Sequence, residues 1–118
     1  METPTLEFES VEEFSNHART SLKQSNMLML SHQFVKTLQN NIESGGVLPM
    51  CEKIRVSDEC ITMIWEDDRL YFSFKILDNL VMWVFADYDG EYCENGIIDL
   101  DVNEMLRIMN TILLSPTL

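Results

Sequence analysis

Between Ser10 and Leu22 the apolar positions recur at helical spacing, with Val11, Phe14, Ala18 and Leu22 on one stripe, the mark of a helix that buries one face. Ser10 stands three residues before Glu13, the spacing of a capping box in which each side chain satisfies a free backbone N–H of the other. Continued at the same period, the stripe would bury Ser25, Met29, His32 and Lys36, whereas the apolar residues that follow are Met27, Leu30, Phe34, Leu38 and Ile42. The phase changes near Ser25-Asn26, and either residue can cap a new helix. The pattern therefore predicts two helices, about 11–24 and 27–44, meeting at a short turn or kink, with Gly45-Gly46 ending the second. One long bent helix is the alternative, because neither Gly nor Pro interrupts the stretch.

After Leu48-Pro49 the period becomes two. Ile61, Met63 and Trp65 alternate with Thr62, Ile64 and Glu66; a turn at Asp67-Asp68 leads into Leu70, Phe72, Phe74 and Ile76, alternating with Tyr71, Ser73, Lys75 and Leu77. This is a hairpin signal. A turn at Asp78-Asn79 precedes a third strand, Leu80 to Tyr88, apolar on both sides as a central strand would be. A shorter strand, Gly96 to Leu100, follows a polar loop from Asp89 to Asn95, and Lys53 to Val56 is a candidate edge strand. Val102, Met105, Leu106, Met109, Ile112 and Leu113 then form a helical stripe, and Asp101 and Glu104 have the spacing of a cap and its third-position acid. Helices, then antiparallel strands, then a helix is an α+β arrangement, here two N-terminal helices, a meander of about four strands and a C-terminal helix. Residues 1–9 read as an arm and 10–118 as one domain, since a chain of 118 residues has room for one core.

Charge is more informative than composition. The net charge is −12 and the pI about 4.3, and eight carboxylates lie from Asp78 to Glu104 with no Lys or Arg before Arg107. Such a run repels DNA, RNA and anionic membranes and favours a positively charged partner. Acidity also keeps small proteins dispersed, which is the plainer reading. Between Phe14 and Ile42 the chain has Arg19, Lys23 and Lys36 but no acid, so the helical half should be mildly basic and the sheet half acidic. That polarity would let two copies associate helix to sheet as a homodimer, and eight Met residues offer adaptable contact surface.

Candidate chemistry is sparse. Asp87-x-Asp89-Gly90-Glu91 gathers oxygens, but an EF-hand loop needs its Gly at the sixth position and here it is the fourth. Asp-Gly is a strong turn dipeptide. The thiols Cys51, Cys60 and Cys93 lie in the later half, away from His17 and His32 in the helices, and show no metal-ligand spacing. No P-loop, dinucleotide or Gly-x-Ser-x-Gly motif occurs. Odd, unpaired cysteine usage without a signal-like N-terminus points to a reduced, intracellular setting, and no apolar run has the length of a membrane span. The expectation is a protein that is not an enzyme and takes no cofactor or metal.

Leu48-Pro49, Ile61-x-x-x-Trp65-Glu66, Phe85-Ala86-Asp87-Tyr88-Asp89-Gly90 and Gly96-Ile97-Ile98-Asp99 together resemble a pattern in small uncharacterised bacterial proteins. The likeness covers roughly residues 47–100 and implies a strand meander, with no chemistry attached. A second Pro usual after Leu-Pro is absent here, and Glu59-Cys60 stand where a Gly often introduces the Ile strand. In size and charge the chain is also similar to phage-encoded anti-CRISPR and anti-restriction inhibitors.

The leading expectation is an inhibitor that uses an acidic sheet-side surface to occupy the basic, nucleic-acid-binding site of a host protein or nucleoprotein complex. Asp87, Asp89, Glu91, Glu94, Asp99 and Asp101 would stand in for phosphates, and Trp83 and Phe85, which share a face with Asp87, would supply an aromatic hot spot if the helices leave that face open. The alternatives are an immunity or antitoxin protein that blocks a basic toxin, a structural homo-oligomer and a small metal-dependent enzyme.

Overall fold

The computed structural model describes residues 5–22, 24–88 and 92–113. Strand β1 (Leu6–Phe8) is followed by helices α1 (Val11–Thr20) and α2 (Asn26–Glu43). Then come β2 (Lys53–Val56), β3 (Ile61–Glu66), β4 (Leu70–Ile76), β5 (Val81–Asp87) and β6 (Tyr92–Ile98), and the last helix is α3 (Val102–Leu113). The six strands form one antiparallel meander in sequence order. The fold is α+β, as the periodicity indicates; the candidate strand at Lys53–Val56 forms, and β1 is a sixth strand that the periodicity does not announce.

The differences from the expected meander are at its two edges, an added strand on one side and a longer one on the other. Leu6–Phe8 is not a free arm but pairs with β2, which moves Lys53–Val56 one place inward from the edge. Three residues are too few for alternation to announce a strand; Phe8 is held by its ring, 5.9 Å from Phe14 and 5.2 Å from His17. On the other side β6 begins at Tyr92 rather than Gly96, taking in Glu94 and Asn95. An edge strand needs no apolar alternation, and charge there discourages strand pairing with other chains.

Helix α1 stops at Thr20, earlier than its stripe suggests, with Ser21 already extended. The Gln24 side-chain amide donates to the carbonyls of Ala18 and Ser21 at 3.0 and 2.8 Å, satisfying groups the helix end leaves open. Leu22, expected in the buried stripe, is fully exposed as a result. Ser25 caps α2, its hydroxyl accepting the Leu28 N–H at 3.2 Å. Gly45 closes α2 at φ 83°, a left-handed conformation that glycine adopts without steric cost.

All three helices lie on one face of the sheet. Phe14, Ala18, Phe34, Val35, Leu38, Met105 and Met109 join Ile54, Ile61, Met63, Trp65, Phe72, Phe74, Ile76, Val81 and Trp83 in a single core. The sheet members alternate along their strands and coincide across them, as in the row Ile61, Ile76, Val81, Ile98 and the row Met63, Phe74, Trp83, Gly96. Phe34 of α2 stands edge-on to Trp65 and Phe74, with centroids 6.5 and 5.7 Å away. The Trp65 indole N–H donates to the Pro49 carbonyl at 3.0 Å, so its polar atom is satisfied inside the core.

Candidate functional site

In an up-and-down meander, alternate turns share an end of the sheet. The β3–β4 turn therefore meets the β5–β6 connection, and two hydrogen bonds tie them together. Tyr88 N–H donates to the Arg69 carbonyl at 2.8 Å, and the Tyr88 hydroxyl donates to Glu66 Oε2 at 2.6 Å. Glu66, Asp67, Asp68 and Asp87 thus gather at one end with Tyr88 and Tyr92, which are 49% and 52% exposed. A second phenol repeats the arrangement, the Tyr92 hydroxyl donating to Glu94 Oε2 at 2.7 Å. Among the described residues, Glu66, Asp67, Asp68 and Glu94 make no ion pair.

The local chemistry follows from these contacts. Hydrogen bonding to Glu66 raises the Tyr88 phenol above its ordinary pKa, and Glu94 does the same to Tyr92, because ionisation would set a phenolate against a carboxylate. Asp67 shifts the other way. Its Oδ1 accepts the N–H groups of Arg69 and Leu70 at 2.7 and 2.9 Å, which stabilises the charged form and holds the turn. Beside this turn lies a hollow of about 270 Å³ with Pro49, Met50 and Leu70 in its lining and Glu52, Glu66 and Asp67 also facing it.

The sequence-expected site is only partly brought together. Asp87 ends β5, half-buried, and Glu94 is exposed on β6 next to it in register with Phe85. Asp89 and Glu91 lie outside the described residues. Asp99 and Asp101 fall beyond the far end of β6, about 20 Å along a seven-residue strand. One continuous acidic wall is therefore corrected to two separated ends. Asp101 is also occupied structurally, since its Oδ1 accepts the Asn103 N–H at 2.9 Å at the start of α3.

The aromatic expectation is corrected as well. The helices do leave one sheet face open, but Trp83 is on the covered one, 8% exposed in the core, and Phe85 is half-buried against that core. The exposed aromatics at the acidic end are Tyr88 and Tyr92. Sequence reasoning missed Glu66, Asp67 and Asp68 as neighbours of Asp87, although the two-turn spacing of a meander places them there.

No protein-family model matches this chain, and neither a curated protein nor a solved structure does. Its chemistry has to be read from its own groups. Burial pushes the Cys51 thiol up to about 12, so it stays protonated and inert. His17 packs at a tilt against the Phe8 ring, while burial, then Lys36 and Arg19, lower the pKa of His32. Among the described residues no three His, Cys, Asp or Glu side chains come together to hold a metal, and no helix is long and apolar enough to cross a membrane.

Proposed function

We propose that this protein works by stoichiometric binding, occupying a basic, nucleic-acid-binding surface of another macromolecule in the manner of small anti-CRISPR and anti-restriction inhibitors. The observation that carries the reading is the acidic end of the sheet, where Glu66, Asp67, Asp68 and Asp87 meet two exposed tyrosines. Carboxylates there attract Lys and Arg and speed encounter, while the tyrosine rings supply desolvated contact area. The adjoining hollow fits a Lys or Arg side chain, its apolar part taking the aliphatic stem and its carboxylates the charged head.

Affinity capture from host lysate at low and high salt tests the proposal. The expected catch is a basic, nucleic-acid-handling protein whose retention falls steeply with salt. Reversing Glu66, Asp68 and Glu94 to Lys should abolish capture, while reversing the same number of exposed acids at the opposite end, Glu59, Asp78 and Asp99, should leave most of it. Retrieval of no such protein, or equal loss from either set, would overturn the reading.

A further inference from the structure

The sheet face opposite the helices carries a different surface. Its residues run in rows across the strands: Glu7, Arg55, Thr62, Lys75, Met82 and Ile97 in one, and Lys53, Ile64, Ser73, Val84 and Asn95 in the next. Among the described residues no helix packs on this face. Met82 and Ile97, partners across β5 and β6, are 40% and 65% exposed. Met82 also walls a recess of about 380 Å³, together with Thr62, Ser73 and Val84 and the cationic side chains of Arg55 and Lys75.

We infer that this face is a self-association surface, and that its occupant is the same face of a second copy of the chain. Charge is the first reason. In a molecule of net charge −12, Lys53, Arg55 and Lys75 stand on this face against Glu7, with Glu66 at one end. It is thus the near-neutral side of a strongly acidic protein, the side on which a second copy meets the least like charge. A basic partner of the kind drawn to the acidic end finds no attraction here. Glu7, 3.8 Å from both Lys53 and Arg55, shows that the charged edge already pairs its own signs.

Area is the second reason. The six strands, three to seven residues long, present roughly 500 Å² in projection at about 3.3 Å per residue and about 4.8 Å between strands, and more when side-chain relief is included. Two such faces together reach the roughly 1,000–1,200 Å² at which specific interfaces begin. The surface also has both halves of a fit, the exposed apolar side chain of Ile97 and the recess walled by Met82 beside it, which a two-fold axis presents to one another twice. Packing of sheet on sheet through inward-facing rows is the ordinary way such a face is covered.

Sedimentation velocity and light scattering on the full chain, over a range of concentrations and at low and high salt, read the outcome. The expected mass is twice 13.8 kDa, persisting at high salt. Met82→Glu with Ile97→Glu should give the monomer, and Thr62→Arg, which puts bulk and charge at the centre of the face, should do so independently; far-UV circular dichroism verifies that each variant is folded. A wild-type chain that stays monomeric at hundreds of micromolar overturns the inference. So does a dimer that folded variants of both kinds leave intact.

Discussion

Gly96 has no room for a side chain. It lies opposite Trp83 in the β5–β6 ladder, and a Cβ built on it would come within 2.6 Å of the indole Nε1 and 2.9 Å of Cε2. Taken alone, Gly96→Ala removes unfolded-state freedom and should stabilise by about 0.4–1 kcal/mol. Against this stands a rigid ring only 8% exposed, which cannot withdraw without displacing its neighbours. Overpacking of that kind costs about 1–3 kcal/mol, so the clash wins and a net loss on the order of 1–2 kcal/mol is expected. With a urea slope of about 2 kcal/mol/M, mid-range for a small protein, the unfolding midpoint should fall by roughly 0.5–1 M.

The control is the same substitution in a Trp83→Phe background. Phenylalanine lacks the indole atoms that the new methyl would strike, so Gly96→Ala should become neutral or mildly stabilising there, a coupling that a double-mutant cycle isolates. Equilibrium urea unfolding followed by circular dichroism provides all four values without depending on the lost tryptophan. If Gly96→Ala equals or exceeds the wild-type midpoint with Trp83 present, the indole does not lie over Gly96 and the placement of Trp83 is wrong.

Two other outcomes follow from the titrating groups. Asp67 has its folded pKa lowered by the N–H groups of Arg69 and Leu70, so its stabilisation is present above the unfolded carboxylate range and is lost as pH falls through the folded value; Asp67→Ala should lower the urea midpoint at pH 7, with the gap closing below about pH 4, and a gap independent of pH would refute this. Cys51, with its thiol pushed up to about 12 by burial, should resist a thiol reagent at pH 8 until denaturant is added, while exposed Cys93 reacts at once; peptide mapping that finds Cys51 modified in the folded protein would contradict the burial.

Much of the fold was legible because the core is periodic. The phase break at Ser25-Asn26 marks a real helix start, and the alternation through β3 and β4 matches the observed pairing from Ile61 with Ile76 to Glu66 with Tyr71. What periodicity does not encode was misread. Leu6–Phe8 is too short to register as a strand, and Glu94-Asn95 in β6 is polar because an edge strand faces water. The candidate site suffered most from face assignment. Alternation tells that Trp83 and Met82 point oppositely, but not which side three helices will cover; the answer depends on tertiary packing, and it moved the exposed aromatics from Trp83 to Tyr88 and Tyr92.

The same geometry separates acids that serve the fold from acids available for recognition. Asp67 accepts backbone N–H groups in its turn, Asp101 does so at the start of α3, Glu104 binds Arg107 at 2.7 Å, and Glu7 faces Lys53 and Arg55. Reversing Asp67 or Asp101 would therefore change stability and binding together and tell neither apart. Among the described residues, Glu66 and Glu94 accept only from tyrosine hydroxyls on the surface, and exposed Asp68 makes no ion pair. Charge reversal at these three perturbs the field at one end of the sheet while the core beneath it stays intact. If acidity only keeps the protein dispersed, moving the same number of charges from the other end must have the same effect on every partner; a difference between the two ends is therefore the signature of recognition, since solubility depends on net charge and not on which turn bears it.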